Sequence, residues 1–333
     1  PLRWATWPEI MEMMTLRERI RRGLLGGTPD RVPLHCRARM LSTGPEGDWA
    51  RELGWGIMNS ASCLRLRREG CDERFEEVQQ DGRLLVRQII DTPAGQITSL
   101  AIPYHHGGRF TIEHLFKGPA DYAPLLAWIQ SMRYEPAYER FVEASNELGD
   151  KGYCYSALGY DPLHEIMVRM MGVETFGYEW ADHQERVMEL YEALCDRHRE
   201  MFRVVAEGPV EFFTYGANIQ PNIVGRQRFA AYYVPMYREF GELLHSKGKR
   251  VGAHIDDKSK ALADLMAQCP WDAMEALAVI PDGDITVGEA RALWPGRALS
   301  LNFPSGLQMA GADGIREATR QFIREAGTID GLL

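Results

Sequence analysis

Between Pro119 and Ala326 the chain alternates two apolar periods almost without a break, and this alternation restricts the available folds more than any other feature. Apolar spacing near 3.6 predicts helices over Pro119–Met132, Pro136–Leu148, His183–Ala206, Arg226–Lys247, Lys258–Gln268, Val287–Trp294 and Asp313–Ala326. Short apolar runs between them predict strands at Gly152–Ala157, Val210–Tyr215, Arg250–Ala253, Ala273–Ala276 and Ala298–Asn302. A strand that recurs after each helix must pair parallel to its predecessor, so the pattern belongs to a parallel sheet wound with helices. No low-complexity tract divides it, and the expected fold is one α/β domain over residues 1–333, a (β/α)8 TIM barrel.

The first third of the chain has another texture. Thr15-Leu-Arg-Glu18 matches a capping box, which starts a helix that Gly26-Gly27 ends, an N-terminal helical cap. Arg31–Cys36 reads as a first strand, with Pro33 near its start. Over residues 75–102, apolar runs are separated by Asp81-Gly82 and Thr92-Pro-Ala-Gly95, which predicts an inserted three-strand antiparallel β-meander. The repeat falls one strand and helix short of eight units before Gly327–Leu333, so the last unit is expected to be missing or the barrel to close differently.

A net charge of -9 argues against a nucleic-acid surface, and Arg19-Ile-Arg21-Arg22 and Arg65-Leu-Arg67-Arg68 read as solvated helix faces. The six cysteines form no Cys-x-x-Cys pair, which suits a reduced interior better than a disulfide framework. With no apolar run of membrane-spanning length and no signal-peptide core, the expectation is a cytoplasmic protein without a membrane partner. Phosphate-binding, dinucleotide and nucleophile-elbow motifs are absent, so nucleotide hydrolysis and serine-hydrolase chemistry are unsupported.

Chemistry concentrates where strands end. Lys249 to Asp257 reads as a buried strand closing in His254-Ile-Asp256-Asp257, and His254 and Asp256 alternate onto one face, where they can reach one ion or one substrate. Glu275 ends the next strand, a candidate third ligand or general base. Asn302, Tyr215 and Asn218 hold barrel-edge positions, and His35 ends the first strand. His105-His106 fall in a loop where a lid would lie, and Asp257 and at least one of Asp282 and Asp284 read as helix caps. Met167, Met170 and Met171 have core spacing.

Val210-Glu-Phe-Phe-Thr-Tyr-Gly-Ala-Asn218, Phe229-x-x-Tyr232-x-x-Pro235, Lys247-Gly-Lys249 with His254-x-Asp256, and Pro281-Asp-Gly-Asp284 to Arg291-x-x-Trp294 resemble the uroporphyrinogen decarboxylase superfamily. That superfamily also holds the corrinoid-dependent methyltransferases. The resemblance implies a barrel with its site at the C-terminal strand ends, and a homodimer. For a decarboxylase it implies arginines that hold substrate carboxylates after the first strand; Arg37 and Arg39 stand there, closer together than in the family pattern and without its glycine. For a methyltransferase it implies zinc on a His-x-Cys and a distant cysteine; His254 matches, but Asp256 stands in the first cysteine position. A carboxylate leaves zinc harder and more Lewis-acidic, better suited to an oxygenated substrate than a thiol.

The leading expectation is therefore a methyltransferase component moving a methyl group between a small organic substrate and a corrinoid on a partner protein. In it His254, Asp256 and Glu275 hold a divalent metal, most simply zinc; Glu275, Asp256 and Tyr215 are catalytic; and His35, Arg37, Arg39, Asn218 and Asn302 bind substrate. The second is a metal-free decarboxylase of a tetrapyrrole or other polycarboxylate, and the third a non-catalytic tetrapyrrole- or corrinoid-binding protein.

Overall fold

The computed structural model describes residues 13–40, 47, 50, 52–104 and 108–333. Its strands in chain order are β1 (Leu34–Arg37), β2 (Trp55–Ser60), β3 (Leu64–Arg68), β4 (Asp72–Gln80), β5 (Arg83–Thr92), β6 (Gly95–Tyr104), β7 (Gly108–Glu113), β8 (Met132–Pro136), β9 (Gly152–Ala157), β10 (Phe212–Ala217), β11 (Arg250–His254), β12 (Ala273–Ala278) and β13 (Ala298–Asn302). Seven of these form one parallel sheet in the order β1-β2-β9-β10-β11-β12-β13. β2 is a strand that the apolar pattern did not announce, because Gly56, Asn59 and Ser60 interrupt it.

The sheet is curled. His35 on β1 and Ser300 on β13, at opposite ends of the strand order, lie within hydrogen-bonding reach at 3.1 Å, and Arg37 on β1 reaches Glu275 on β12 at 3.3 Å. Beyond β13 the chain turns back: Leu301 N–H donates to the Leu333 carbonyl and Leu333 N–H to Leu299, the start of an eighth parallel position. Among the described residues no ladder joins that edge to β1, so the sheet is a curled, TIM-like half-barrel that does not close.

Strand alternation sorts the side chains into two layers. Phe213, Tyr215, Val251, Ala253, Met274 and Leu299 belong to the large core with the helices Gln184–Ala206 and Val234–Ser246. Met58, Tyr153, Tyr155, Phe212, Ala273 and Ala298 face the sheet interior, where Ile20 and Leu24 of the helix Leu16–Leu25 join them with Leu333. That helix is the N-terminal cap, and it plugs the interior from below. Thr15 caps it by accepting from Glu18 N–H, but Glu18 turns its carboxylate to Arg22 instead of completing a capping box. The reciprocal box forms at Thr286 and Glu289, where the sequence reading looked to Asp284.

The meander has four strands, β4-β5-β6-β7, one more than expected, because β7 pairs with β6; His105 and His106 lie outside the described residues. It packs through Ile90 and Ile97 onto the helix Tyr122–Gln130. Arg65 to Arg68 lie on β3, paired antiparallel with β8, not on a helix face: charged residues alternate with Leu64 and Leu66, a period of two. None of the six cysteines is in a disulfide, and no described helix is long and apolar enough to cross a membrane.

Candidate active site at the C-terminal strand ends

Inward-facing positions at the upper ends of β1, β11, β12 and β13 bring His35, Arg37, His254, Glu275, Ser300 and Asn302 to one mouth, and Asp256 follows two residues after His254. The centre is His254. Its Nδ1 bonds to Glu275 Oε2 and its Nε2 lies 2.9 Å from Asp256 Oδ2, so a carboxylate takes each side of the ring. Arg37 Nη2 stands 3.1 Å from Nδ1 and 3.3 Å from Glu275 Oε1. Nδ1 cannot accept from Arg37 and donate to Glu275 together; the closer carboxylate decides, and the nitrogen carries a proton.

Burial alone would lower the proton affinity of His254. The bonds to Asp256 and Glu275 outweigh it and raise the pKa from 6.5 to about 9, which makes the ring an imidazolium at neutral pH. Burial would raise Glu275, which is 7% exposed, but the bond to His254, with the charges of His254 and Arg37, brings it below its ordinary value. Asp256 is the open end of the chain, and Asn302 Nδ2 donates to its Oδ1 at 3.4 Å. His35 is held the other way: burial, with the charge of Arg37, lowers its pKa against the pull of Glu275, and the ring stays neutral beside Ser300. Two rings in one mouth are thus kept in opposite charge states by what surrounds them.

Local backbone geometry aims these groups. β12 breaks register between Met274 and Leu277, and Ala276 there has φ of 55°, a left-handed conformation that only a constrained alanine adopts. β10 breaks between Thr214 and Ala217, followed by Asn218 with φ of 54°. Asp257 also sits at positive φ, 59°, so it makes the turn after His-x-Asp instead of capping a helix. The capping falls to the β12 loop: Asp284 accepts from Ser259 and Lys260 N–H after β11, and Asp282 accepts from Ser305 N–H and hydroxyl after β13.

The expected site residues divide accordingly. His254, Asp256, Glu275, Arg37, Asn302 and His35 come together. Tyr215 does not. As an odd-numbered residue of β10 it faces the helix layer, fully buried between Phe202, Tyr237 and Phe240, and its hydroxyl lies 2.8 Å from His198 Nδ1. Its strand-end position suggested a catalytic group, but alternation from Phe212 and Thr214 assigns it to the core. Tyr215→Phe is expected to lower stability by about 1–2 kcal/mol, through the unpaired His198 nitrogen, and to leave the mouth intact; urea unfolding with the His254 titration checks both. Asn218 is displaced sideways, its Nδ2 donating to Tyr160 Oη at 3.1 Å. The Arg39 side chain lies outside the described residues.

Sequence reasoning missed Ser300, although it shares the inward face with Asn302 two residues on. It also missed Asp161, a fully buried acid whose pKa burial pushes up to about 7; it caps the turn at His164 and accepts from Tyr237 Oη at 3.0 Å. Met167, Met170 and Met171 are core.

The three expected metal ligands are neighbours, but they do not surround one point. Asp256 and Glu275 lie against opposite nitrogens of the same ring, so an ion held by His254 with either carboxylate is out of reach of the other. Each nitrogen of the ring lies within hydrogen-bonding reach of a carboxylate. Among the described residues no group of three or more such side chains is arranged to hold a metal. As placed here, the three side chains do not converge on the position a single divalent ion would take. Compared with protein-family models and with curated proteins, the chain matches none.

Proposed function

We propose that this protein is a lyase-type enzyme that uses a charged histidine, without a metal, to protonate carbon as a small polycarboxylated molecule loses CO2. This decarboxylase reading moves ahead of metal-activated methyl transfer to a corrinoid. The observation that carries it is the Asp256–His254–Glu275 chain with Arg37 against it.

Arg37, with its side chain 34% exposed, offers the guanidinium edge not used by Glu275 to a substrate carboxylate. A second carboxyl group leaves as CO2: its C–C bond breaks, and the electron pair stays on the substrate carbon. The proton on His254 Nε2 passes to Asp256 Oδ2 and from there to that carbon, forming the C–H bond. Solvent then reprotonates His254, so one proton is consumed for each CO2 released. Glu275 stays ionised throughout and holds the ring in place.

The test begins without a substrate. Histidine resonances followed by NMR from pH 5 to 10 should show one ring, absent in His254→Gln, titrating near 9. A His254 that titrates near 6.5 would sink the mechanism. With a panel of polycarboxylates, uroporphyrinogen among them, CO2 release should fall at least a hundredfold in His254→Gln, as expected for loss of a positioned acid.

A further inference from the structure

Asp161, 1% exposed, lies in the loop that leaves β9, and the proton chain does not use it. That loop is sewn along β10: Leu158 N–H donates to the Thr214 carbonyl, and Gly216 N–H donates to the Gly159 carbonyl. At its end the Asp161 carboxylate accepts twice. One oxygen takes the His164 N–H at 3.1 Å and caps the turn Pro162–His164; the other takes the Tyr237 hydroxyl at 3.0 Å, from the helix Val234–Ser246. Gly216, at φ of 84°, leaves the space that this hydroxyl occupies, and a Cβ there would overlap it. One side chain thus fastens the segment after β9 to the helix after β10.

The fastening lies between two irregular stretches. The π-helical Glu165–Met171 begins four residues after Asp161, and the π-helical Phe229–Tyr233 ends four residues before Tyr237. Such turns are rare and occur frequently at functional sites.

The groups that face the carboxylate are neutral or negative. From its own segment come His164, which burial brings to about 4 and so keeps neutral, and Glu165, a second acid whose charge opposes that of Asp161. Tyr233 and Tyr237 face it from residues 229–246, Tyr215 from β10, and Tyr191 and Cys195 from the helix Gln184–Ala206; burial raises all five, so they stay protonated at neutral pH. The one arginine of the segment 160–173, Arg169, pairs with Glu165 at 3.5 Å and lies over the Tyr160 ring. A buried carboxylate with two neutral donors and no cation bonded to it among the described residues favours its protonated form.

We infer that Asp161 is a proton-operated clasp: protonated, it holds residues 162–173 against the helix that carries Tyr237; ionised, it is a buried charge without a counter-ion and lets that segment open to water. The inference is independent of the decarboxylase reading. With its pKa raised from 3.8 to about 7, Asp161 stabilises the closed segment fully below 3.8 and ceases to do so as pH rises through about 7. His164 and His198, lowered from 6.5 to about 4, act in the opposite direction, chiefly below 6.5. Glu165, also raised by burial, acts in the same direction as Asp161, and an Asp161 variant separates the two. Between pH 6 and 8 opening of the segment should become about tenfold easier.

Amide hydrogen exchange of the full chain at pH 6 and 8, scaled for the intrinsic rate, tests this on peptides covering 162–173. Protection is expected to fall about tenfold in the wild type and less than about twofold in Asp161→Asn, which has no proton to lose at this position. Peptides of the helix Val287–Leu293 should be equally protected at both pH values. Tyr237→Phe removes a donor that favours the carboxylate, so its transition should move to higher pH. Thermal unfolding identifies a variant that has lost its fold; if Asp161→Asn is one, the wild type and Tyr237→Phe decide. Equal protection of 162–173 at both pH values in the wild type, the full dependence retained in folded Asp161→Asn, a Tyr237→Phe transition that does not move upward, or a loosening at pH 8 that includes Val287–Leu293 would each overturn the inference.

Discussion

Glu275→Ala is expected to cost the fold about 3–5 kcal/mol at pH 7, the range for removing one partner of a buried charge pair. The carboxylate is 7% exposed and serves two cations, His254 and Arg37, so its loss leaves both facing each other across 3.1 Å with no anion between them. Glu275→Gln keeps the shape and an acceptor and should cost less. The pH dependence follows from two shifts. His254 is raised from 6.5 to about 9, so its contribution is complete below 6.5 and disappears as pH rises through 9. Glu275 is lowered from 4.5, so its contribution is present above 4.5 and disappears as pH falls through its folded value. The gap between wild type and Glu275→Ala, measured by urea unfolding, should therefore be widest between about pH 4.5 and 6.5 and narrow toward pH 10. A cost under about 1 kcal/mol, or one that does not change with pH, would mean that the pair is not the coupled unit described.

Gly152→Ala is expected to destabilise the protein by about 3 kcal/mol or more, at the upper end of overpacking effects. Gly152 opens β9 opposite Ile57 of β2, and a Cβ there would overlap the Ile57 carbonyl oxygen. The obstacle is backbone in the middle of a parallel sheet, so it has no rotamer through which to escape; β2 and β9 would have to separate where the first βα unit joins the rest. The φ of a residue here is ordinary, which makes the expected loss one of space alone. Urea unfolding measures it, and a loss below 1 kcal/mol would show that the two strands yield more easily than their pairing suggests.

Seven helical segments from Pro119 onward were legible from their apolar spacing, with boundaries that differ by a few residues at most, whereas the short helices Pro221–Val224 and Ser305–Gln308 were not. The strands β9 to β13 were legible for the same reason, buried as they are on both faces. β2 was not, because its Gly56 faces the cap helix and its Asn59 and Ser60 lie toward the upper end, where polar residues replace the apolar run. Residues 165–171 form a π-helical stretch, whose spacing is not 3.6, and the α-helix Val173–Asp182 that follows it was not anticipated either. At the site, period two within a strand was the dependable signal: it joined His254 to Asp256, would have added Ser300 to Asn302, and would have assigned Tyr215 to the core. Sequence spacing did not reveal that the two carboxylates take opposite sides of one imidazole. That depends on the distance between β11 and β12 and on the bulge at Ala276.

Because Asp282 and Asp284 tie down the chain after β13 and after β11, three successive loops share one frame made of backbone amides and two side chains. Such a frame transmits displacement sideways: a change of length in any one loop pulls on both neighbours. Variation of specificity at this mouth would then have to proceed by exchanging the three loops together, as a single cassette.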